Sequence, residues 1–424
     1  MKVAVEELEA CKRRLRVEAA PDQVQKAWEE AYGRVQRQAR LPGFRKGHVP
    51  RNLVKLHFAE EVRREVAQRL IPEVYRKALA ESQLHPVEEP DLQEVTLEEG
   101  APLTFTAVVE IKPDIQLGTY TGLTVQHTPR PVTDADLEQA LAHLQEQSAE
   151  FRHVERPAGE GDLAIVDYTV TPEGLPPRSE QGYAFLVGSG GVLPEIDGAV
   201  IGMTPGEEHL VQVRFPDDHP REDLRAKSGG ARVRLVEVKE KLLPIQDDDF
   251  ARTLGCESLE NLRGTVRKGL ETRREREDRL ALEEKLVDLL LAQHEFVVPE
   301  ALVLRQVAHM IEHARERMRQ RGADPDQAQW DYEKLAGELR PAALRAVRRA
   351  LLLEAIAVRE GITPSEEEVS ARVEQIAEAR KQPVPAVRRL LERSGDLDAL
   401  QVSLREAGVL DVLIQRAAVQ PEVH

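Results

Sequence analysis

Aromatic residues make up only 4% of this 424-residue chain, against 32% charged residues. Its packing therefore has to come from aliphatic side chains beneath a large charged surface. No stretch approaches the roughly 18 uncharged apolar residues that a membrane helix needs. At the start, MKVAVEELEA, the residues Glu6, Glu7 and Glu9 interrupt any apolar run before a signal-peptide core can form. A cytosolic, cytoplasmic protein is expected. Cysteine is nearly absent. Cys11 and Cys256 lie far apart, with no CxxC and no Cys/His companions, which reads as two ordinary thiols in a reducing compartment rather than a disulfide or zinc site. The histidines are scattered, and neither a metal nor a cofactor is assigned to them. Internal repeats and low-complexity tracts are missing. No heptad persists across several turns without Pro or Gly, which excludes a coiled-coil structural protein. The formal charge of -16 opposes general nucleic-acid binding, so any contact with phosphates has to come from a local basic patch.

Length predicts about three domains at ~150 residues each, and the mean hydropathy of -0.44 fits a soluble, charge-rich surface. Residues 1–112 mix strands and helices. KRRLRVEA (12–19) and LTFTAVVEI (103–111) alternate apolar with polar residues and predict half-buried strands. Between them, one helix is expected from Pro21-Asp22 toward Ala39 and a second from Pro50 through VKLHFAEEVRREVAQRL. Pro113, Gly118, Gly122, Pro129 and Pro131 mark a linker, after which Thr133-Asp134 caps a helix. The linker and helix occupy 113–150. From 151 to 243, short β-type runs (LAIVDYTV, YAFLVG, HLVQVRF, ARVRLVEVK) alternate with Gly/Pro turns and predict a compact strand-rich domain. Residues 244–424 predict at least six helices punctuated by Pro299, Pro325, Pro341, Pro364 and Pro383.

One segment stands out chemically. Between Arg34 and Lys55 lie Arg34, Arg37, Arg40, Arg45, Lys46, Arg51 and Lys55, with no Asp or Glu. At the chain's acid frequency of 75 in 424, such a segment would carry about 4 acids, so acid is locally excluded. At its centre, LPGFRKGHVP places two glycines and two prolines around Phe44, Arg45 and Lys46, which forces a turn between helices. An exposed tip of this kind suits a phosphate-rich surface that it positions against without reading sequence. The alternative is a solvated turn with Phe44 folded back on the helices.

Gly43-Phe44-Arg45-Lys46-Gly47-His48-Val49-Pro50 resembles the G-F-R-x-G-x-x-P signature of the bacterial trigger factors, with every fixed position matched. The resemblance implies that Gly43, Phe44, Arg45, Lys46, Gly47 and Pro50 dock the chain beside the ribosomal tunnel exit, against a ribosomal protein and adjacent ribosomal RNA. It implies nascent or unfolded polypeptides as clients, no membrane, and a homodimer as one state off the ribosome.

The middle region is similar to FKBP-type peptidyl-prolyl isomerases at Asp167-Tyr168-Thr169, Phe185-Leu186-Val187-Gly188, Val192-Leu193-Pro194, Gly202-Met203, Pro205-Gly206-Glu207 and Phe215-Pro216. By that resemblance Tyr168, Tyr183, Phe185, Val192, Leu193 and Ile196 line a proline pocket, with Phe215 and His219 at its rim. Three departures lower the expected efficiency: the usual Phe-Asp pair is missing near Leu175-Pro176-Pro177, Ile196 replaces an aromatic floor after Glu195, and Arg234 stands where Phe is common. The C-terminal part resembles the same family at IQDDDFA (245–251), at Pro299 after Phe296-Val297-Val298, and at LEAIA (353–357) before Glu360-Gly361-Ile362. The whole predicts a multidomain α+β protein: an α/β ribosome-binding domain (1–112), an FKBP-like β-rich isomerase domain (151–243) and an all-α domain with helical arms (244–424). Helix 133–150 is expected to pack with that last domain. Narrow aliphatic stripes put Val303, Val307, Met310 and Met318 forward as client contacts, with mutual packing of the arms as the other reading. A free isomerase, the competing function, would have no use for the acid-free turn.

Overall fold

The computed structural model describes residues 1–42, 44–219, 221–326 and 330–421. Its elements begin with β1 (Lys2–Glu9), β2 (Lys12–Ala19), α1 (Pro21–Gln38), α2 (Arg51–His57), α3 (Ala59–Ser82), β3 (Asp91–Thr96), β4 (Leu103–Glu110) and β5 (Thr124–Gln126). Then come α4 (Asp134–Gln147), β6 (Glu150–Val154), β7 (Leu163–Pro172), β8 (Arg178–Leu186), α5 (Pro194–Val200), β9 (Glu208–Arg214) and β10 (Ser228–Leu242). The rest is α6 (Asp248–Thr253), α7 (Leu259–Gln293), α8 (Glu300–Gln320), α9 (Tyr332–Glu360), α10 (Glu366–Arg380), α11 (Val384–Ser394), α12 (Asp396–Arg416) and β11 (Ala418–Gln420). These gather into two compact units, Met1–Thr128 with Leu280–His424, and Pro129–Arg279. The divisions expected at 112, 150 and 243 do not coincide with the boundaries of these units, which fall after 128 and after 279.

In the first unit the antiparallel sheet runs β1-β2-β4-β3. Alternation sends Leu15, Val17 and Ala19 of β2, with Leu103, Phe105, Ala107 and Val109 of β4, to one buried face. Against them lie Val24, Trp28, Ala31 and Tyr32 of α1, and Val62, Val66, Leu70, Val74 and Ala78 of α3, which recur at helical spacing. β1 is not expected from its glutamates. It pairs antiparallel with β2, where Glu6 and Glu7 meet Arg14 (3.1 Å) and Arg13 (3.2 Å). The helix expected from Pro50 is two helices. Phe58, at φ -125° and ψ 23°, breaks the run and turns its ring toward the core.

The helical part of this unit centres on Leu286, Leu290, Leu352, Leu353, Ile356, Val409 and Leu413, with Leu123 and Val125 from β5, which pairs in parallel with β11. Pro341 does not end a helix. It sits exposed within α9, where the carbonyl deprived of its donor can turn to water. Val303 and Val307 are buried against Ala343 between α8 and α9, which takes them out of reach of a client. Met310 packs partly against the same cluster, and Met318 is half-buried. The stripe therefore holds α8 to α9, and the client role expected of Val303 and Val307 is corrected. Among the described residues the outward apolar side chains of this region include Leu304, Leu344, Val358, Leu390 and Val402.

In the second unit α4 starts at a capping box. The Thr133 hydroxyl accepts from the Asp136 N–H (3.2 Å) while the Asp136 carboxylate accepts from the Thr133 N–H (2.8 Å). The helix lays Leu137 and Leu141 against Phe250, Ala251 and Leu262. A five-stranded sheet, β6-β10-β7-β8 with β9 on β10, wraps a core of Val166, Phe185, Ile196, Val200, Met203, Val233 and Leu235. Gly229 has no room for a side chain, because a Cβ there would lie 2.5 Å from the Thr171 carbonyl oxygen. Among the described residues no helix is long and apolar enough to cross a membrane.

Candidate functional sites

The cationic turn is held at its base and open at its tip. Ala39 and Val49 are buried and Leu41 packs beside them. The Gln36 side-chain amide donates to the Val49 carbonyl (2.7 Å). Within the turn the Phe44 N–H donates to Leu41 (3.0 Å) and the His48 N–H to Arg45 (3.0 Å). Gly47 takes φ +82°, and a Cβ on it would lie 3.3 Å from the Arg37 carbonyl oxygen, so the tight return needs glycine on two counts. Phe44 is 41% exposed, and Arg45 and Lys46 are exposed beside it. Gly43 lies outside the described residues. Pro50 is the exposed N-cap of α2.

The seven cations of the segment are not equivalent. Arg34 is taken by Glu65 (2.8 Å) and Lys55 by Glu99 (2.6 Å). Arg51 and Lys55 cover the Tyr32 ring at 5.1 and 5.0 Å. The Tyr32 hydroxyl donates to Glu99 (2.9 Å); burial and that hydrogen bond push its pKa up to about 12. Hydrogen bonds from Lys55 and Tyr32 outweigh burial and hold the Glu99 carboxyl below its ordinary value. This knot fixes α1 to α2. Among the described residues, Arg37, Arg40, Arg45, Lys46 and Arg51 make no ion pair with a carboxylate, so a local positive field survives on an acidic protein.

In the second unit all eight expected pocket residues fall together. Tyr168 on β7 meets Tyr183 on β8 edge to face at 5.7 Å, and Tyr183 lies 6.3 Å from Phe185. Val192 and Leu193 precede α5, which carries Ile196. All three pack on the same core as Phe185 and Phe215. His219 stands against Phe215, edge to face at 5.4 Å, and its Nδ1 accepts from the Arg221 N–H (3.1 Å). Phe185, Ile196 and Phe215 are buried, whereas Tyr168, Tyr183, Val192 and Leu193 are half-buried. Asp197 accepts from the Gly188 N–H (2.9 Å), which ties α5 to the end of β8.

Two readings of the sequence change here. Arg234 brings no charge to the pocket: it is exposed on β10 between the fully buried Val233 and Leu235, because alternation turns it to the outer face. The missing Phe-Asp pair is in part replaced. Leu175 packs into the core, and Glu180, opposite Tyr168 in the hairpin register, accepts a 2.6 Å hydrogen bond from its hydroxyl. Burial first, then that carboxylate, raise the Tyr168 pKa. Glu180 is missed in the sequence because only the register of β7 on β8 brings it there. Glu195, just before Ile196, keeps one carboxylate oxygen enclosed without a partner.

A cationic helix–turn–helix on one sheet, a strand-rich half-barrel and long paired helices together define a multidomain α+β protein. The description "Bacterial trigger factor protein (TF)" matches residues 1–144, and its C-terminus counterpart matches residues 258–415. Trigger factor of Moorella thermoacetica is 35% identical over 430 residues, covering 99% of this chain and 96% of that one. Trigger factor of Halothermothrix orenii is 33% identical, covering 98% and 99%. The chain belongs to the trigger factor family. A solved structure described as "Promiscuous Substrate Recognition in Folding and Assembly Activities of the Trigger Factor Chaperone" shares the fold, with a TM-score of 0.51 at 20% identity over 98% of this chain and 99% of that one.

Proposed function

We propose that this chain is a cytoplasmic, ribosome-associated chaperone that docks through Phe44, Arg45 and Lys46 and receives nascent polypeptides on its helical surfaces. The observation that carries the docking role is the pairing pattern of the turn: the tip cations are free of carboxylates while Arg34 and Lys55 are neutralised behind them. Gly47 shapes the turn, Pro50 starts α2, and Gly43 completes the motif. Ribosome co-sedimentation of a tip variant tests this. Clients are bound weakly and without sequence preference, because burial of scattered aliphatic side chains is non-directional. Leu304 and Val358, exposed among charged neighbours, serve that role better than Val303 or Val307. The regions 1–112, 151–243 and 244–424 act as docking, isomerase and client-binding parts, with 113–150 between them. Off the ribosome a homodimer gives the exposed tip a partner, and sedimentation velocity reads it.

The middle unit acts as an isomerase of modest efficiency. Rotation about an X–Pro bond meets a barrier of about 18–20 kcal/mol set by amide resonance, and an apolar wall of Tyr183, Val192, Leu193 and Ile196 disfavours the planar, charge-separated form. The Tyr168 hydroxyl already donates to Glu180. It therefore withholds a hydrogen bond that would stabilise the planar amide. Ile196 gives a smaller floor than an aromatic ring, which lowers the rate. In protease-coupled refolding limited by proline isomerisation, the full chain is expected to accelerate the slow phase. Tyr183→Ala, which removes a half-buried ring worth about 1.4 kcal/mol, should cut kcat/KM about tenfold. A wild-type rate equal to the uncatalysed one would leave the unit as a client-holding module.

A further inference from the structure

Among twelve histidines, two meet on one face of α8. His309 and His313 are four residues apart, the spacing that stacks side chains on adjacent helical turns. Their ring centroids lie 6.2 Å apart with 45° between planes. Both are exposed. Elsewhere the ring nitrogens of His143, His153, His219 and His294 are engaged by Gln147, Glu237, Arg221 and Gly118. Among the described residues no such hydrogen bond involves His309 or His313, and both residues are open to water.

We propose that His309 and His313 chelate one divalent transition-metal ion of the Zn2+, Ni2+ or Cu2+ class across a turn of α8. Imidazole is the preferred ligand of this class, and Mg2+ and Ca2+, which want oxygen ligands, are excluded. With metal–nitrogen distances of ~2.0–2.1 Å, two rings sharing an ion have centroids roughly 5 Å apart. Closing from the observed separation takes about an ångström, within reach of small side-chain rotations at exposed positions. The neighbouring carboxylates are occupied: Glu312 is held by Arg315 (3.5 Å) and Arg319 (3.2 Å), and Glu316 by Arg319 (2.7 Å).

No group of three or more ligating side chains assembles among the described residues, so the site has two protein ligands and completes its coordination with water. That makes it weaker than a closed four-ligand site, and leaves open positions to which a histidine, cysteine or carboxylate of a bound polypeptide could coordinate. The order His309-Met310-Ile311-Glu312-His313 matches the H-x-x-E-H pattern of a zinc hydrolase. With Glu312 neutralised by two arginines and no third ligand in place, the pattern supports binding and not hydrolysis.

The test is calorimetric titration of the untagged full chain with Ni2+ and with Zn2+. One ion per chain is expected. His309→Ala and His313→Ala should each weaken binding at least about tenfold, since each leaves a single imidazole, with far-UV ellipticity unchanged because both side chains are exposed. Mg2+ should give no heat. Wild-type affinity retained in either variant overturns the proposal, as does an absence of binding to the wild type.

Discussion

Replacing Phe44, Arg45 and Lys46 together by alanine is expected to weaken ribosome binding on the order of a hundredfold, enough to remove the chain from the ribosomal pellet. The expectation adds two kinds of contact. Phe44, 41% exposed on the free chain, would bury its ring against the partner, and a buried aromatic side chain is worth about 2 kcal/mol. Arg45 and Lys46 would each neutralise a phosphate and release a counterion. The contributions can be separated. Arg45→Ala/Lys46→Ala should lower the slope of log affinity against log salt by about two, whereas Phe44→Ala should weaken binding with the slope unchanged. The fold is expected to survive, since Leu41, Val49 and the Gln36–Val49 hydrogen bond anchor the turn from below. Equal pelleting of wild type and triple variant would remove the docking role. Unequal pelleting with an unchanged salt slope would leave Phe44 as the whole of it.

The turn is legible in the sequence because its signals are local: an acid-free run, two glycines and two prolines. What the sequence hides is pairing. Nothing in the run Arg34 to Lys55 says that its two outer members, Arg34 and Lys55, are met by Glu65 and Glu99, because those partners come from α3 and from the loop before β4. The β2 and β4 strands are readable from alternation, but β1 is not. Its glutamates look like a solvated stretch until the arginines of β2 stand opposite them. Phe58 likewise breaks a helix that propensity would continue, because the core has a place for its ring.

Order along the chain suffices to gather Tyr168, Tyr183, Phe185, Val192, Leu193 and Ile196, since they lie on β7, β8, α5 and the loop that joins β8 to α5. Facing is harder. Whether Arg234 looks in or out depends on strand phase, and a one-residue error moves a charge from solvent into the core. The same limit applies to α8. A thin aliphatic stripe is compatible with a client-facing groove or with a partner helix, and only the presence of Ala343 on α9 decides for the helix. The acidic chain thus carries one acid-free cationic turn and commits Val303 and Val307 of α8 to internal packing.

Asp162→Ala is expected to loosen the strand-rich second unit by about 2–3 kcal/mol, the cost of removing a buried charged acceptor and leaving its donors behind. Asp162 is 4% exposed at the start of β7. It accepts two hydrogen bonds from Arg156 (2.6 and 2.9 Å) and one from the Gly159 N–H (2.9 Å), closing the turn that leads into the sheet. Hydrogen exchange on the full chain should show amides of β7 and β10 exchanging roughly fiftyfold faster at neutral pH, with the helices of the first unit unaffected. Acid supplies the second readout. Burial opposes the Asp162 charge, but the hydrogen bonds from Arg156 and Gly159 and the Arg156 charge outweigh it and hold the carboxyl below its ordinary value. A carboxyl depressed by folding contributes stability in full above its unfolded value, about 4, and that stability is lost as the pH falls through the lower folded value. Protection of β7, corrected for intrinsic exchange, should therefore drop below about pH 4 in the wild type and change less in Asp162→Ala. Unchanged exchange in the variant at neutral pH would mean that the turn closes without this ion pair.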